Sequence, residues 1–234
     1  MAASRLKGKP LLEINNVPII CHVLNKAMET GLEAIVATED KEIVTAVEQN
    51  GGGKVILTGN HKTGTDRIFE AFKKLKIENV DYILNLQGDE PMIDPKDIIN
   101  LNKLMIKNNS DIGTLASEIK KDTMLTNENI VKVITEKKLE NNNFVKALNF
   151  LRKGLKKENS NIYHHIGIYC YKVSVLEKFI NLDQTKNEIK NRLEQLRALE
   201  NNIKINVAFA ESSPIGVDTK EDYLALKKIM EYKS

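Results

Sequence analysis

The sequence predicts an α/β fold: a mostly parallel sheet with crossover helices, interrupted by an inserted subdomain of more antiparallel character. Three observations predict it. The first half alternates short apolar runs with amphipathic helix patterns, which implies parallel strands joined by helices. The middle, about residues 120–185, carries strand patterns with few helices between them. The last stretch returns to helix, strand and helix. A chain of 234 residues suits one such domain with a sizeable insertion.

The elements follow in order. Pro18 opens a helix with Ile20, Val23, Leu24 and Ala27 on one face and Gly31 at its end. Residues 33–38 read as a buried strand. Asp40 caps a helix bearing Ile43, Val44 and Val47, which stops at glycines 51–53. Residues 54–57 form a short strand, and residues 65–76 a helix with Ile68, Phe72 and Leu75 at helical spacing. Residues 80–87 are the strongest strand, and a helix starts at Pro95. In the middle, residues 112–119, 130–135, 144–150 and 165–171 are strands, separated by polar loops at 136–143 and 153–161. Residues 188–201 read as one helix with Ile189, Leu193 and Leu196 inward. A strand over 203–210 follows, then a helix capped by Thr219 and bearing Tyr223, Leu226, Ile229 and Met230.

Composition narrows the function. The chain is 41% hydrophobic and 29% charged, with a net charge of +3 spread over many lysines, so nucleic acid is not an expected partner. No apolar run approaches the roughly 20 residues that span a bilayer, and the first ten residues lack the apolar core of a signal peptide. The two cysteines, Cys21 and Cys170, have no metal-ligand spacing and suit a reduced cytoplasm.

Four segments can carry chemistry. Ser4-Arg5-Leu6-Lys7-Gly8-Lys9-Pro10 places three cations around a glycine, as a triphosphate requires, although the Walker A spacing is absent. Asn85-Leu86-Gln87-Gly88-Asp89-Glu90-Pro91 follows the strongest strand, where α/β sheets bind ligands. Asp89 there can hold a hard cation, and Gln87 can read a base or sugar. Asp218, between a strand and a helix, makes a second carboxylate for magnesium. His61 to Arg67 puts Gly64 and Thr65 at a strand-to-helix junction. Each has a plain structural alternative: a frayed basic terminus, a turn, or an N-cap at Thr63, Thr65 or Asp218. His164 and His165 are adjacent on a strand, so at most one faces a site. Glu194 and Arg197, three apart on a helix, could be a surface pair.

Together these segments resemble one family. SRLKGKPL, HKTGTDR, NLQGDEP, HIGIYCY, LEQLRALE and GVDTKEDY, in this order and spacing, are similar to the CMP-Kdo synthetases (3-deoxy-manno-octulosonate cytidylyltransferases) along essentially the whole chain. The resemblance implies an α/β nucleotidyltransferase core of Rossmann-like type with an inserted dimerisation and sugar-binding subdomain. It implies transfer of CMP from CTP to the anomeric hydroxyl of 3-deoxy-D-manno-octulosonate (Kdo), with Mg²⁺, in a cytoplasmic homodimer serving lipopolysaccharide biosynthesis. Arg5 and Lys9 match phosphate-contacting positions, and Gly64, Thr65, Arg67 and Gln87 the nucleotide side. Asp89 and Asp218 match the metal carboxylates. Gln87, Arg152, His165, Tyr169, Glu194 and Gln195 match the sugar side.

The chain departs from the family pattern in four places. Members usually begin with a strand ending in Pro-Ala-Arg, just ahead of the residues aligned with Met1 to Ser4, so Met1 is expected to be an internal methionine of a longer protein. Lys7 stands where proline is usual. Leu151-Arg152-Lys153-Gly154 replaces a Ser-Arg-Ile-Pro run, and Asn191 stands where glutamate is frequent. Two alternatives follow: a cytidylyltransferase for another acidic sugar (8-amino-Kdo or a nonulosonate), or a truncated, non-catalytic nucleotide-binding chain.

Overall fold

The structure, a computed structural model, describes residues 6, 8–50, 52–153, 161–214 and 216–232. Its chain forms two compact units, one of residues 1–79, 86–98 and 214–234, the other of residues 80–85 and 99–213.

The first unit begins with a 3₁₀ turn, Lys9–Leu11, and a tight hairpin, β1 (Glu13–Ile14) and β2 (Val17–Pro18). Asn15 and Asn16 turn it with φ of 52° and 60°, the paired positive values that two-residue hairpins favour. α1 (Ile19–Met28), β3 (Ile35–Thr38), α2 (Lys41–Gln49), β4 (Lys54–Leu57) and α3 (Gly64–Leu75) follow. β3 and β4 pair in parallel, joined by α2, as the alternating pattern predicts. Asp40 caps α2 by accepting the Glu42 N–H at 2.8 Å.

The second unit holds β5 (Tyr82–Asn85), β6 (Ile112–Ser117), α5 (Asp122–Thr126), β7 (Lys132–Thr135), β8 (Phe144–Leu151) and β9 (Ile162–Lys172). α4 (Pro95–Asn108) precedes β6 in the chain and carries it from the first unit's residues into the second's. α6 (Val173–Ile180), α7 (Lys186–Asn191), α8 (Gln195–Glu200) and β10 (Ile205–Phe209) complete the unit, and α9 (Lys220–Glu231) belongs to the first. The strand order is β5-β9-β6-β10-β8-β7, with β7 also paired to β9. Every residue of β6 is buried. Gly113 on β6 is needed for close approach: a Cβ there would stand 2.8 Å from the Phe144 ring and 3.0 Å from Leu101.

Among the described residues two strand pairs are parallel, β3 with β4 and β6 with β10, and the other pairings are antiparallel. The strand preceding NLQGDEP, β5, pairs with β9 and runs antiparallel to it. β9 is 11 residues long and so reaches β5, β6 and β7 in turn.

One helix differs from its sequence pattern. Residues 188–201 are two helices, because Arg192 takes the left-handed conformation at φ 54° and ends α7. Leu193 and Leu196 are inward as expected, but Ile189 is 60% exposed. The break resets the helical phase, and Glu188 takes the buried place instead. Among the described residues no helix is long and apolar enough to cross a membrane.

Candidate active site

Three loops of the first unit converge on one cluster. Gly8, at φ 68°, turns the chain so that Leu11 N–H bonds its carbonyl at 2.8 Å and starts the Lys9–Leu11 turn. The loop after β5 carries Gln87 and Asp89, and the loop before α9 carries Asp218. The Val217 N–H donates to the Asp89 carbonyl at 3.0 Å and ties the last two together. Each loop also has an apolar anchor: Leu12, Leu86 and Val217 pack in one cluster with Ile14, Ile19, Val23 and Leu226. Polar residues at these loop tips are therefore fixed from beneath by ordinary core packing.

The polar product is a lysine between two acids. Lys9 Nζ bonds the Asp89 carboxylate and lies 3.4 Å from Asp218 Oδ1. Burial works against the charge of Lys9, but the two carboxylates outweigh it and raise its pKa above the ordinary lysine value. The alternative role for Asp218, capping, belongs to its neighbours. Thr219 Oγ1 accepts the Asp222 N–H at 3.1 Å, and Asp222 Oδ2 accepts from Thr219 N–H at 2.8 Å. That leaves the Asp218 side chain to Lys9.

Among the described residues no group of three or more acids, histidines or cysteines could hold a metal by itself. Two carboxylates already gathered around a positive charge nevertheless fit Mg²⁺, which is commonly bound by one or two carboxylates plus substrate phosphates and water. Lys9 Nζ already stands between the two carboxylates as their counter-charge.

The other nucleotide-side residues are placed as follows. Thr63 is the N-cap of α3, its Oγ1 accepting the Asp66 N–H at 3.1 Å, so Gly64 and Thr65 form the first turn, with Thr65 buried. Arg67 Nη2 pairs with Glu39 at 3.0 Å. Gln87 is exposed. Arg5 lies outside the described residues.

In the second unit, His165 and Tyr169 sit in a row of rings. Phe150–His165, His165–Tyr169, Tyr169–Tyr171 and Tyr171–Phe179 have centroids 5.1, 5.4, 5.8 and 6.2 Å apart. His165 Nε2 is 3.0 Å from Thr114 Oγ1, which is itself 2.7 Å from the Ile168 carbonyl. The hydroxyl has one hydrogen and gives it to that carbonyl, so it accepts from Nε2–H. Burial first, then His164 and Arg152, push the pKa of His165 down to about 3. The ring is neutral at pH 7, with Nδ1 holding its lone pair. His164 instead meets Ser213 Oγ at 3.0 Å, so the two histidines have separate partners.

Arg197 ties the row to the LEQLR segment. Its guanidinium lies 4.7 Å over Phe179 and is held by Glu188, with Nε–Oε2 at 2.8 Å and Nη2–Oε1 at 2.5 Å. The Glu194 carboxylate is 3.5 Å away. The Glu194–Arg197 surface pair of the sequence pattern is thus corrected: Arg197 is buried, and Glu188 is its main partner. Burial would raise the pKa of Glu188, but hydrogen bonds from Arg197 and Gln184 leave it lowered. Gln195 opens α8 and is buried. Arg152 bonds the carbonyls of Asn191, Glu128 and Asn129 at 3.2–3.3 Å.

Two residues escaped the sequence analysis. Glu188 was legible as the acid of a Thr185-x-x-Glu188 capping box, which the structure contains. Lys132 is fully buried, its Nζ bonding the carbonyls of Asn127, Ile130 and Arg152 at 2.9, 2.8 and 2.6 Å. Its flanking apolar run, residues 130–134, was the available signal.

The α/β fold brings a carboxylate pair and a lysine together at loop tips, an arrangement suited to the phosphoryl chemistry of a nucleotidyltransferase. Comparison with known proteins narrows the class. The family described as Cytidylyltransferase matches residues 1–205. The 3-deoxy-manno-octulosonate cytidylyltransferase of Bartonella tribocorum is 39% identical, covering 98% of this chain and 95% of that protein. That of Rhodopseudomonas palustris is 42% identical, covering 95% and 91%. The solved structure of a CMP:2-keto-3-deoxy-manno-octonic acid synthetase complexed with CTP is 33% identical, with a TM-score of 0.87 over 99% of this chain and 95% of that one. A UDP-glucose pyrophosphorylase, 14% identical at a TM-score of 0.72, shares the fold. The chain belongs to the cytidylyltransferase family, in its 3-deoxy-manno-octulosonate branch.

Proposed function

We propose that the protein transfers CMP from CTP to the anomeric hydroxyl of Kdo, giving CMP-Kdo and pyrophosphate. The observation that carries this reading is the Lys9 bridge between Asp89 and Asp218, in a chain about 40% identical to enzymes named for that reaction. In the reaction a sugar hydroxyl oxygen bonds the α-phosphorus and the bond to the pyrophosphate oxygen breaks. Such a transfer needs positioning and charge stabilisation more than a covalent catalyst. Lys9, with Arg5, neutralises phosphate oxygens. Asp89 and Asp218 would hold Mg²⁺, which would supply charge neutralisation of the triphosphate. Gly64, Thr65, Arg67 and Gln87 take the nucleotide. Arg152, His165, Tyr169, Glu194 and Gln195 take the sugar, with neutral His165 Nδ1 available to accept a sugar hydroxyl.

The same reading includes a cytoplasmic homodimer that supplies lipopolysaccharide synthesis. The test is pyrophosphate release with CTP and Kdo, 8-amino-Kdo or sialic acid. Turnover of Kdo at least tenfold above the others supports the proposal. Preference for another acidic sugar, or no turnover of any, overturns it. Sedimentation at micromolar concentration gives the oligomeric state, and a monomer overturns the homodimer.

A further inference from the structure

One ammonium group serves both carboxylates of the cluster, and it is well shielded: the Lys9 side chain is 14% exposed. A divalent ion held by Asp89 and Asp218 together would need the space that this ammonium fills. Among the described residues, no third acid, histidine or cysteine joins the pair to offer the ion another seat.

We infer that Lys9 is the resident cation of the free enzyme, so that the site takes a metal–triphosphate complex and excludes the free metal ion. The inference rests on the reading of Asp89 and Asp218 as the metal carboxylates. Its physical basis is an exchange of partners. A free ion entering alone would strip the shielded ammonium of both carboxylates, and an unpaired charge in such a place is costly. A triphosphate changes the balance, because its oxygens accept the ammonium in charge-assisted hydrogen bonds as the carboxylates pass to the metal. Metal and nucleotide then raise each other's affinity by one common factor, as linkage requires. Lys9 sets that factor.

The experiment uses Mn²⁺ as the probe, counted by electron paramagnetic resonance of the free ion, every arm with CTP being measured as the protein-dependent loss of signal beyond that in protein-free CTP (which itself binds Mn²⁺), with no sugar present so that no turnover occurs. In the wild-type protein, saturating CTP should tighten Mn²⁺ binding at least ~10-fold, within the usual range of coupling. Lys9→Gln and Lys9→Met should bind Mn²⁺ without CTP at least ~10-fold more tightly than wild type, and CTP should then add little. Only variants with a cooperative thermal transition are compared. If folded variants bind Mn²⁺ alone no better than wild type, the inference is overturned. Should neither variant fold, the wild-type arm decides, and equal Mn²⁺ affinity with and without CTP overturns it. Asp89→Asn tests the underlying reading separately: it should lose Mn²⁺ binding in the presence of CTP. Retention there removes the carboxylate assignment itself, whatever Lys9 does.

Discussion

Lys9 in the first unit and Arg197 in the second each face two carboxylates, but in different solvent. The Asp218 side chain is 57% exposed, and the Lys9 cluster stands on three loop tips. Arg197 and Glu188 are both buried, joined by two hydrogen bonds and roofed by Phe179. The first arrangement leaves its charges able to exchange partners with an incoming ligand. The second locks them, because separating a buried pair leaves a charge with nowhere to go. On the proposed assignment the first cluster serves reaction and the second architecture, and it is the exposed Asp218 carboxylate that separates them.

Breaking the buried pair should produce the largest effect. Arg197→Met is expected to cost about 3–5 kcal/mol, read as a lower urea midpoint. The Glu188→Leu, Arg197→Met double variant should recover most of that loss, since an apolar pair of similar volume strands no charge. Asp218→Asn should do the reverse. It should lower the rate of pyrophosphate release on the order of 100-fold, while stability changes by less than about 0.5 kcal/mol. A large stability loss in that variant would erase the distinction between the clusters.

Acid sharpens the comparison. His165 has its folded pKa lowered to about 3 by burial, while the unfolded chain takes up its proton near 6.5. The unfolded state therefore binds more protons between those values, and stability falls as pH drops through that window. Between pH 6.5 and 5 the loss from this group is about 2 kcal/mol. His165→Gln should flatten that limb of the urea midpoint against pH. Glu188, with its lowered pKa, contributes stability that is lost as pH falls from the ordinary value of 4.5 through its lower folded one. The smallest effect belongs to Thr219→Ala, which should cost about 1 kcal/mol of melting stability through the α9 cap.

What was legible in the sequence was local. Asp40, Thr63 and Thr219 cap the helices their spacing announces, because a cap is decided by residues two or three apart. The strand at residues 54–57 has the predicted bounds. The split between α7 and α8 was hidden, since a positive φ at an arginine is set by the packing around it rather than by propensity. Lys132 was hidden for a related reason: a lysine is read as a surface residue until three carbonyls are found around it. The motifs at Lys9, Asp89 and Asp218 were visible one by one. The pairing of Asp89 with Asp218 was expected from the resemblance, but the Lys9 bridge between them was not, because it depends on the Val217–Asp89 hydrogen bond and on anchors far apart in the chain.

That hydrogen bond also sets a schedule. Asp89 is joined to the chain long before Val217 and Asp218 are made, and at about 5–20 residues per second the interval is about 6–25 s. For that time the growing chain holds Lys9 and one acid but not the second. The carboxylate pair closes only when α9 can dock and bring Val217 onto the Asp89 carbonyl. On the proposed assignment, a nascent chain stalled within the second unit therefore has one of the two carboxylates and lacks the other.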